Sequence, residues 1–235
     1  MALFRQQAAQ PAYHKDQRIT QMITLELLRQ LWPHGDSVVH GLMEGIVNSQ
    51  DVVYKKYNIQ SNVVIAHMFA QFSEECGCGN DIQENMNYSA AKLLQVFPTH
   101  FSNSEAIALQ HNPKAIADKA YGGRMGNKYG TDDGWNFRGQ GLSQVTGRDG
   151  YAALAKKTGL DVVNHPELII APETTLECGV ADFILCGCLP YALKDDLLGV
   201  SSMLNVGHYV NNPSHINGYS MRANWLKIWK HALHI

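Results

Sequence analysis

Long apolar runs are missing from this chain. No stretch approaches the roughly 18 consecutive apolar residues that cross a bilayer, so no membrane span is expected. Charge of one sign is missing too: charged residues make up 17% of the sequence and the formal net charge is −2. Nothing global therefore draws the protein to nucleic acid, to an anionic membrane or to an anionic wall, although its 11 histidines would make the surface more positive in a mildly acidic compartment. The start, Met1-Ala2-Leu3-Phe4-Arg5-Gln6-Gln7, holds no apolar core of signal-peptide length, so synthesis and folding in a cytoplasm are expected.

Cysteine is scarce and odd in number. Cys76, Cys78, Cys178, Cys186 and Cys188 favour free thiols over a disulfide framework. Their two Cys-x-Cys pairs miss the Cys-x-x-Cys spacing usual at structural zinc. A His-Glu-x-x-His pattern is also lacking, so a zinc peptidase or amidase ranks low, and neither metal nor cofactor is expected. Internal repeats, low-complexity domains and strand-like alternation are scarce. What remains is a 235-residue chain, 45% hydrophobic, of ordinary globular composition and mostly α pattern. Its length suits a polar, Gln-rich tail over 1–17 followed by a single domain over 18–235.

Helical periodicity predicts elements from Ile19 to Leu31, from Val38 through the segment to Tyr57, and from Ser61 as N-cap onward. Further helices are expected over Ala90–Phe97, from Asn112-Pro113 to the stop at Gly122-Gly123, and over 150–158 with Asp149 as cap. Pro172 opens another, 197–204 is short, and Tyr219–His234 is the last. Residues 122–147 are Gly-rich but carry Trp135, Phe137 and Arg138, which reads as a structured loop with room for a small hairpin.

The stretch Ser61–Ser89 organises the rest. Val64, Ile65, Met68, Phe69 and Phe72 recur at amphipathic helical spacing, and the row 65, 68, 72 continues to Glu75. Glu74 falls about 100° around and is expected to meet solvent. Gly77 and Gly79 stop the helix, leaving Glu75 in its last turn. Apolar neighbours and the negative helix end both disfavour an ionised carboxylate there, which suits a general acid. Nine positions on (84 − 75), Glu84 lies in amide-rich Gln83-Glu84-Asn85-Met86-Asn87, a wetter setting that keeps a carboxylate ionised. Two carboxyls in opposed environments form the acid/base pattern of a glycosidase. A glutamate before a glycine is more often a solvated or capping group, and that bland reading stands beside the catalytic one.

These residues carry a resemblance. Ala70-Gln71-Phe72-Ser73-Glu74-Glu75-Cys76-Gly77, then Glu84-Asn85-Met86-Asn87-Tyr88-Ser89-Ala90, resembles the catalytic region of family 19 glycoside hydrolases, in the branch of chitinase-like lysozymes and phage-type endolysins. Phe137-Arg138-Gly139-Gln140-Gly141-Leu142-Ser143-Gln144-Val145-Thr146-Gly147 resembles that family's aromatic-Arg-Gly-x-Gly-x-x-Gln block, and Asn205-Val206-Gly207 and Asn217-Gly218 through Arg222 its C-terminal blocks. The four blocks stand in family order over about residues 18–235.

The resemblance implies a lysozyme-like, bi-lobed helical domain with a cleft, cleaving β-1,4 links between N-acetylated sugars with inversion. Glu75 would be general acid and Glu84 general base, their carboxyls roughly 6.5–9.5 Å apart to admit a water. Gln144 and Asn205 match positions that bind the sugar, with Tyr88 and Arg138 as wall residues. Tyr88 serves equally well as core and Arg138 as half of a structural ion pair; Arg222 either pairs with a site carboxylate or is structural. Where lysozyme-like members carry Ser or Thr, this chain has Met86, which cannot donate a hydrogen bond; Ser89 or another hydroxyl would have to take over. Peptidoglycan is the first substrate choice and chitin the second, with a weakly active or non-catalytic sugar-binding relative as the other alternative. Wall access would need a holin-type or other secretion-system route, and a delivery partner or cognate inhibitor is left unspecified.

Overall fold

The computed structural model describes residues 22–235. The tail expected at 1–17 and the start of the helix expected from Ile19 lie outside them. Within the described part that first helix, α1, begins only at Leu25 and runs to Leu31, capped by the Thr24 hydroxyl accepting from the Leu27 N–H. Ile23 is buried but not helical, because the Gln50 carboxamide satisfies both its N–H and its carbonyl, at 2.9 and 2.8 Å. Twelve α-helices and no strands are present among the described residues, so the fold is mostly α, as expected.

α2 (Leu42–Lys56) and α3 (Asn62–Glu75) follow, and α3 is the axis of the molecule. All five apolar residues that predicted α3 are buried. Along it packs the last helix, α12 (Tyr219–Ala232). Phe69 stands between the rings of Trp32 and Trp229, at centroid distances of 6.0 and 4.9 Å. Both indole N–H groups donate to one hydroxyl, Ser73, at 2.9 and 3.0 Å. Two large aromatic side chains thus bury their area without leaving a polar atom unpaired.

Three hydrophobic clusters divide the chain. The largest joins α1, α2, α3, α9 (Thr175–Leu185) and α12. A second gathers Phe137, Val145, Tyr151, Leu154, Ile169, Cys178 and Ala181 around α8 (Arg148–Thr158) and the inner face of α9. The third is a small body of its own. It packs Met86 with α4 (Ala90–Val96), α5 (Asn103–Leu109) and α6 (Pro113–Tyr121). α7 (Asp133–Asn136) links it to the 137–147 loop, and α10 (Leu189–Ala192) and α11 (Leu197–Val206) complete the large body.

Some boundaries differ from expectation. α8 begins at Arg148 with Gly147 at its cap, so Asp149 lies inside the first turn. α9 begins at Thr175, beyond Pro172, because Thr174 is not helical and turns its hydroxyl to the Leu168 carbonyl. α5 was not anticipated, although Ser102 and Glu105 form a reciprocal capping box legible as Ser-x-x-Glu. The hairpin allowed for in the Gly-rich loop is reduced to single bridges: Gln140 and Val145 exchange backbone bonds of 3.2 and 2.9 Å, and Gln83 bridges Gln140. No described helix is long and apolar enough to cross a membrane.

Candidate active site

α3 delivers Glu75 to its end, and the chain then turns sharply. Gly77, Cys78 and Gly79 take φ of 52°, 56° and 90° in succession, which brings the Gly79 and Asp81 N–H groups back to the Cys76 carbonyl. A side chain at Gly79 would stand 2.5 Å from the Gly35 carbonyl oxygen, so only glycine fits this crossing. Ile82 follows as a buried residue of the large core, and Glu84 comes two positions later.

Glu75 is not left to apolar neighbours and the helix end, as the sequence implied. Its Oε1 accepts from Arg222 Nη2 at 2.7 Å, with the Glu75 side chain 17% exposed. Arg222 is itself buried on the first turn of α12. It donates Nη1 to Gln71 Oε1 at 2.6 Å and Nε to the Asn217 carbonyl at 3.0 Å. Gln71 in turn donates to the Ser201 hydroxyl at 3.1 Å, on α11. Asn205 joins this network, its Oδ1 accepting from the Asn217 N–H at 3.0 Å. Three helices thus fix one guanidinium against Glu75.

Glu74 is half-buried as well, which corrects the expectation that it meets solvent. It lies against Gly218 at the start of α12, where an added Cβ would approach its Oε1 to 2.1 Å. Burial raises its carboxyl above the usual range; Arg222 opposes this and Glu75 adds to it.

Glu84 is held on the other side, by the 137–147 loop and the small body. Its N–H donates to the Gly139 carbonyl at 2.8 Å, and its Oε2 accepts from the Gly139 N–H at 3.1 Å. Oε1 accepts from the Tyr121 hydroxyl, at the end of α6, at 2.7 Å. Burial, then the Glu84 charge, push the Tyr121 hydroxyl far up, so it acts as a donor. Met86 is buried in the small core, and the Ser89 hydroxyl accepts from the Lys92 N–H as the cap of α4. The hydroxyl that reaches Glu84 is that of Tyr121.

The other expected residues fall around Glu84. Tyr88 is half-buried, edge-on to Phe97 at 6.1 Å, and Glu84's charge adds to the burial that raises its hydroxyl. It is both core and neighbour of the carboxylate. Among the described residues Arg138 makes no ion pair with a carboxylate. It is buried, its guanidinium lies 3.6 Å from the centre of the Trp135 ring, and Nη1 donates to the Trp135 carbonyl at 2.7 Å. Its Nε is buried without a hydrogen bond among the described residues. Gln144, at φ 57°, donates to the Asp81 and Gly141 carbonyls at 2.7 and 3.2 Å. Its Oε1 lies over Gly139, where an added Cβ would come within 2.8 Å of it and 3.5 Å of Glu84 Cβ. Gly139 therefore lets Gln144 and Glu84 share one spot.

The structure thus gathers Glu84, Tyr88, Arg138 and Gln144 around one loop. Asn205 belongs to the Arg222 network that holds Glu75. Leu142 joins the two halves: it packs at Gly179 of α9 beside Phe72, one turn before Glu75. Tyr121 escaped the sequence reading. Tyr121 looks like any apolar-face residue of α6. All five cysteines are free thiols. Among the described residues no three His, Cys, Asp or Glu side chains are grouped to hold a metal.

Compared with known proteins, the chain matches no family model. A Haemophilus influenzae (strain ATCC 51907 / DSM 11121 / KW20 / Rd) protein described as "Glycosyl hydrolase family 19 domain-containing protein" is 32% identical to it over 146 residues, covering 61% of this chain and 70% of that protein. The chain belongs to glycosyl hydrolase family 19. Membership points to glycoside hydrolysis as the class of activity, and the family 19 chain presents two half-buried glutamates, each with fixed hydrogen-bond donors, on different bodies of the fold.

Proposed function

We propose that this protein cleaves β-1,4 links between N-acetylated sugars of peptidoglycan, with inversion, Glu75 acting as general acid and Glu84 as general base. The observation that carries the reading is the asymmetry of the two carboxyls. Glu84 accepts from a tyrosine hydroxyl and a backbone N–H, which together fix the orientation of its carboxyl as a base requires. Glu75 sits at the end of the central helix against a single guanidinium. Glu75 gives its proton to the leaving oxygen, and Arg222 neutralises the carboxylate that remains. Glu84 takes a proton from the water that attacks the opposite face of the sugar. Inversion requires the carboxyls to stand roughly 6.5–9.5 Å apart in the sugar complex. Gln144 and Asn205 would engage the N-acetyl sugar, with Tyr88 and Arg138 lining the sugar path.

Chitin, built from the same N-acetylated units, is the second substrate. A sugar-binding protein without chemistry is disfavoured by the Tyr121–Glu84 bond, which supplies a hydroxyl despite Met86. Reaching a cell wall would call on a holin-type or other secretion-system route. The test is digestion of purified peptidoglycan and of chitin oligomers, with mass analysis of the products. New reducing ends with α configuration support inverting glycoside hydrolysis, free peptides indicate an amidase, and Glu75→Gln should be folded and inactive. Full activity in Glu75→Gln would overturn the assignment.

A further inference from the structure

Of the aromatic side chains among the described residues, only Tyr129 and Tyr209 are exposed. Tyr209, 49% exposed, lies nearly parallel to Tyr191 of α10, with an interplanar angle of 20° and ring centroids 6.0 Å apart. Tyr191 in turn fills the place of a side chain at Gly199 of α11. An added Cβ there would stand 2.0 Å from Tyr191 Cδ1 and 2.8 Å from Asp196 Oδ2. Asp196 caps α11, its Oδ1 accepting from the Gly199 N–H at 2.9 Å. Two near-parallel rings and a carboxylate therefore meet at the first turn of α11. Tyr209 arrives there because the segment after α11 doubles back. The Ser202 hydroxyl accepts from the Val210 N–H at 3.2 Å, and the Asn217 N–H returns to Asn205 Oδ1 at 3.0 Å. Asn212 accepts from the Ser214 N–H at 3.0 Å, and Ile216 is buried. The loop 207–217 is thus fixed in advance, and Asn205 and Asn217 at its two ends belong to the network that holds Glu75.

We propose that Tyr209, stacked on Tyr191 beside Asp196, is a platform for a sugar ring of the substrate chain, away from the bond that is cut. This platform rests on the glycoside-hydrolase reading and adds a binding place to it. Sugar recognition needs a flat apolar face together with hydrogen-bond partners for hydroxyls and N-acetyl amides. Tyr209 supplies an open ring with few torsions to freeze, on a loop already ordered, so covering it costs little entropy. Asp196 Oδ2 supplies an acceptor at the same turn for a hydroxyl or an amide N–H. A carboxylate is a poor neighbour for phosphate, so the place favours a neutral, hydroxyl-rich chain over a nucleic acid. The bonds to Ser202 and Asn205 hold the loop by themselves, and fixing it does not call for a half-open ring. At about 1.5 Å per residue, Gly199 lies roughly 9 Å along α11 from Asn205. The platform therefore takes a ring further along the chain than the one proposed for Asn205.

The experiment measures KM and kcat of the full chain, Tyr209→Ala and Tyr209→Trp on the chitin hexasaccharide, on peptide-stripped peptidoglycan strands and on peptide-bearing strands. Tyr209→Ala should raise KM about tenfold on the bare sugar chains that the parent cleaves, with kcat held within about twofold. Tyr209→Trp keeps a flat ring and should bring KM back. A rise on chitin alone names chitin as the occupant, and a rise on stripped strands alone names peptidoglycan; either supports the platform. A rise confined to peptide-bearing strands assigns the rings to a peptide and overturns it. An unmoved KM overturns it as well, and so does a loss of kcat that follows a fall in Tm, which would make Tyr209 a brace for the loop. Binding without turnover gives a second reading, which also serves if Tyr209→Ala does not fold. In Glu75→Gln, titration with the hexasaccharide or the stripped strands should shift the Tyr209 ring resonances in NMR spectra; a ring that stays put while other signals move overturns the platform. A parent that releases no reducing ends and binds none of the three probes would sink the glycoside-hydrolase reading, whereas an active parent with unmoved Tyr209→Ala kinetics sinks only the platform.

Discussion

Arg222→Met tests whether the guanidinium is the keystone of the Glu75 end. Methionine keeps apolar length and removes every donor. Three acceptors then lose their partner. The Gln71 Oε1 is fully buried, and leaving such an atom unpaired costs about 1–3 kcal/mol. The Asn217 carbonyl belongs to an exposed residue and finds water at little cost. Glu75, only 17% exposed, loses a charged partner with partial access to solvent, for roughly 1 kcal/mol more. The sum is about 3 kcal/mol, which for a chain of this size lowers Tm by roughly 6–12 °C. Thermal and urea unfolding at pH 7 measure it, and a double-mutant cycle with Glu75→Gln isolates the pair, expected to couple by about 1–2 kcal/mol. A total loss below about 1 kcal/mol, or no coupling, would mean that water replaces the guanidinium and that Arg222 orients nothing.

Ser73→Ala strips the shared acceptor from the Trp32 and Trp229 indoles, both fully buried, and should cost about 2–5 kcal/mol in urea unfolding; a change under about 1 kcal/mol would show the two N–H groups satisfied some other way. Tyr121→Phe keeps the ring edge-on to Phe97 but removes the donor to Glu84, so the proposed glycoside hydrolysis should fall about 10–100-fold with Tm nearly unchanged. An unaffected rate would remove Tyr121 from the site. Asp133 is held down at about 2, from 3.8, chiefly by the Arg148 hydrogen bond, with burial opposing. A depressed carboxylate stabilises the fold above its unfolded value and loses that contribution as pH falls. Asp133→Asn should therefore be less stable than the parent at pH 7, with the gap closing between about pH 4 and about pH 2. A gap that persists at pH 2 would assign the effect to packing.

Much of the framework was legible along the chain because the forces that make a helix are local. The apolar row Val64 to Phe72 with glycines beyond, Asn112-Pro113, and Gly159 at the end of α8 each act within one or two turns, and each stands where those rules put it. Boundaries slipped where a distant group competed. The Gln50 carboxamide took the backbone of Ile23, and the Asn127 carboxamide oxygen took the Arg148 N–H at the start of α8. Periodicity also placed Glu75 correctly at the end of α3, yet misjudged its surroundings and those of Glu74, since the partner that matters is 147 residues away.

By itself, then, the sequence determined a mostly helical protein, the position of two glutamates at a helix end and in the loop after it, and the family blocks around them. Tertiary packing decided the rest. Docking of α12 on α3 set Arg222 against Glu75, and docking of α6 beside the 137–147 loop brought Tyr121 onto Glu84. Period and capping act over a few residues, whereas these charges meet through helices docked from opposite ends of the chain, and no local pattern encodes the angle at which they dock.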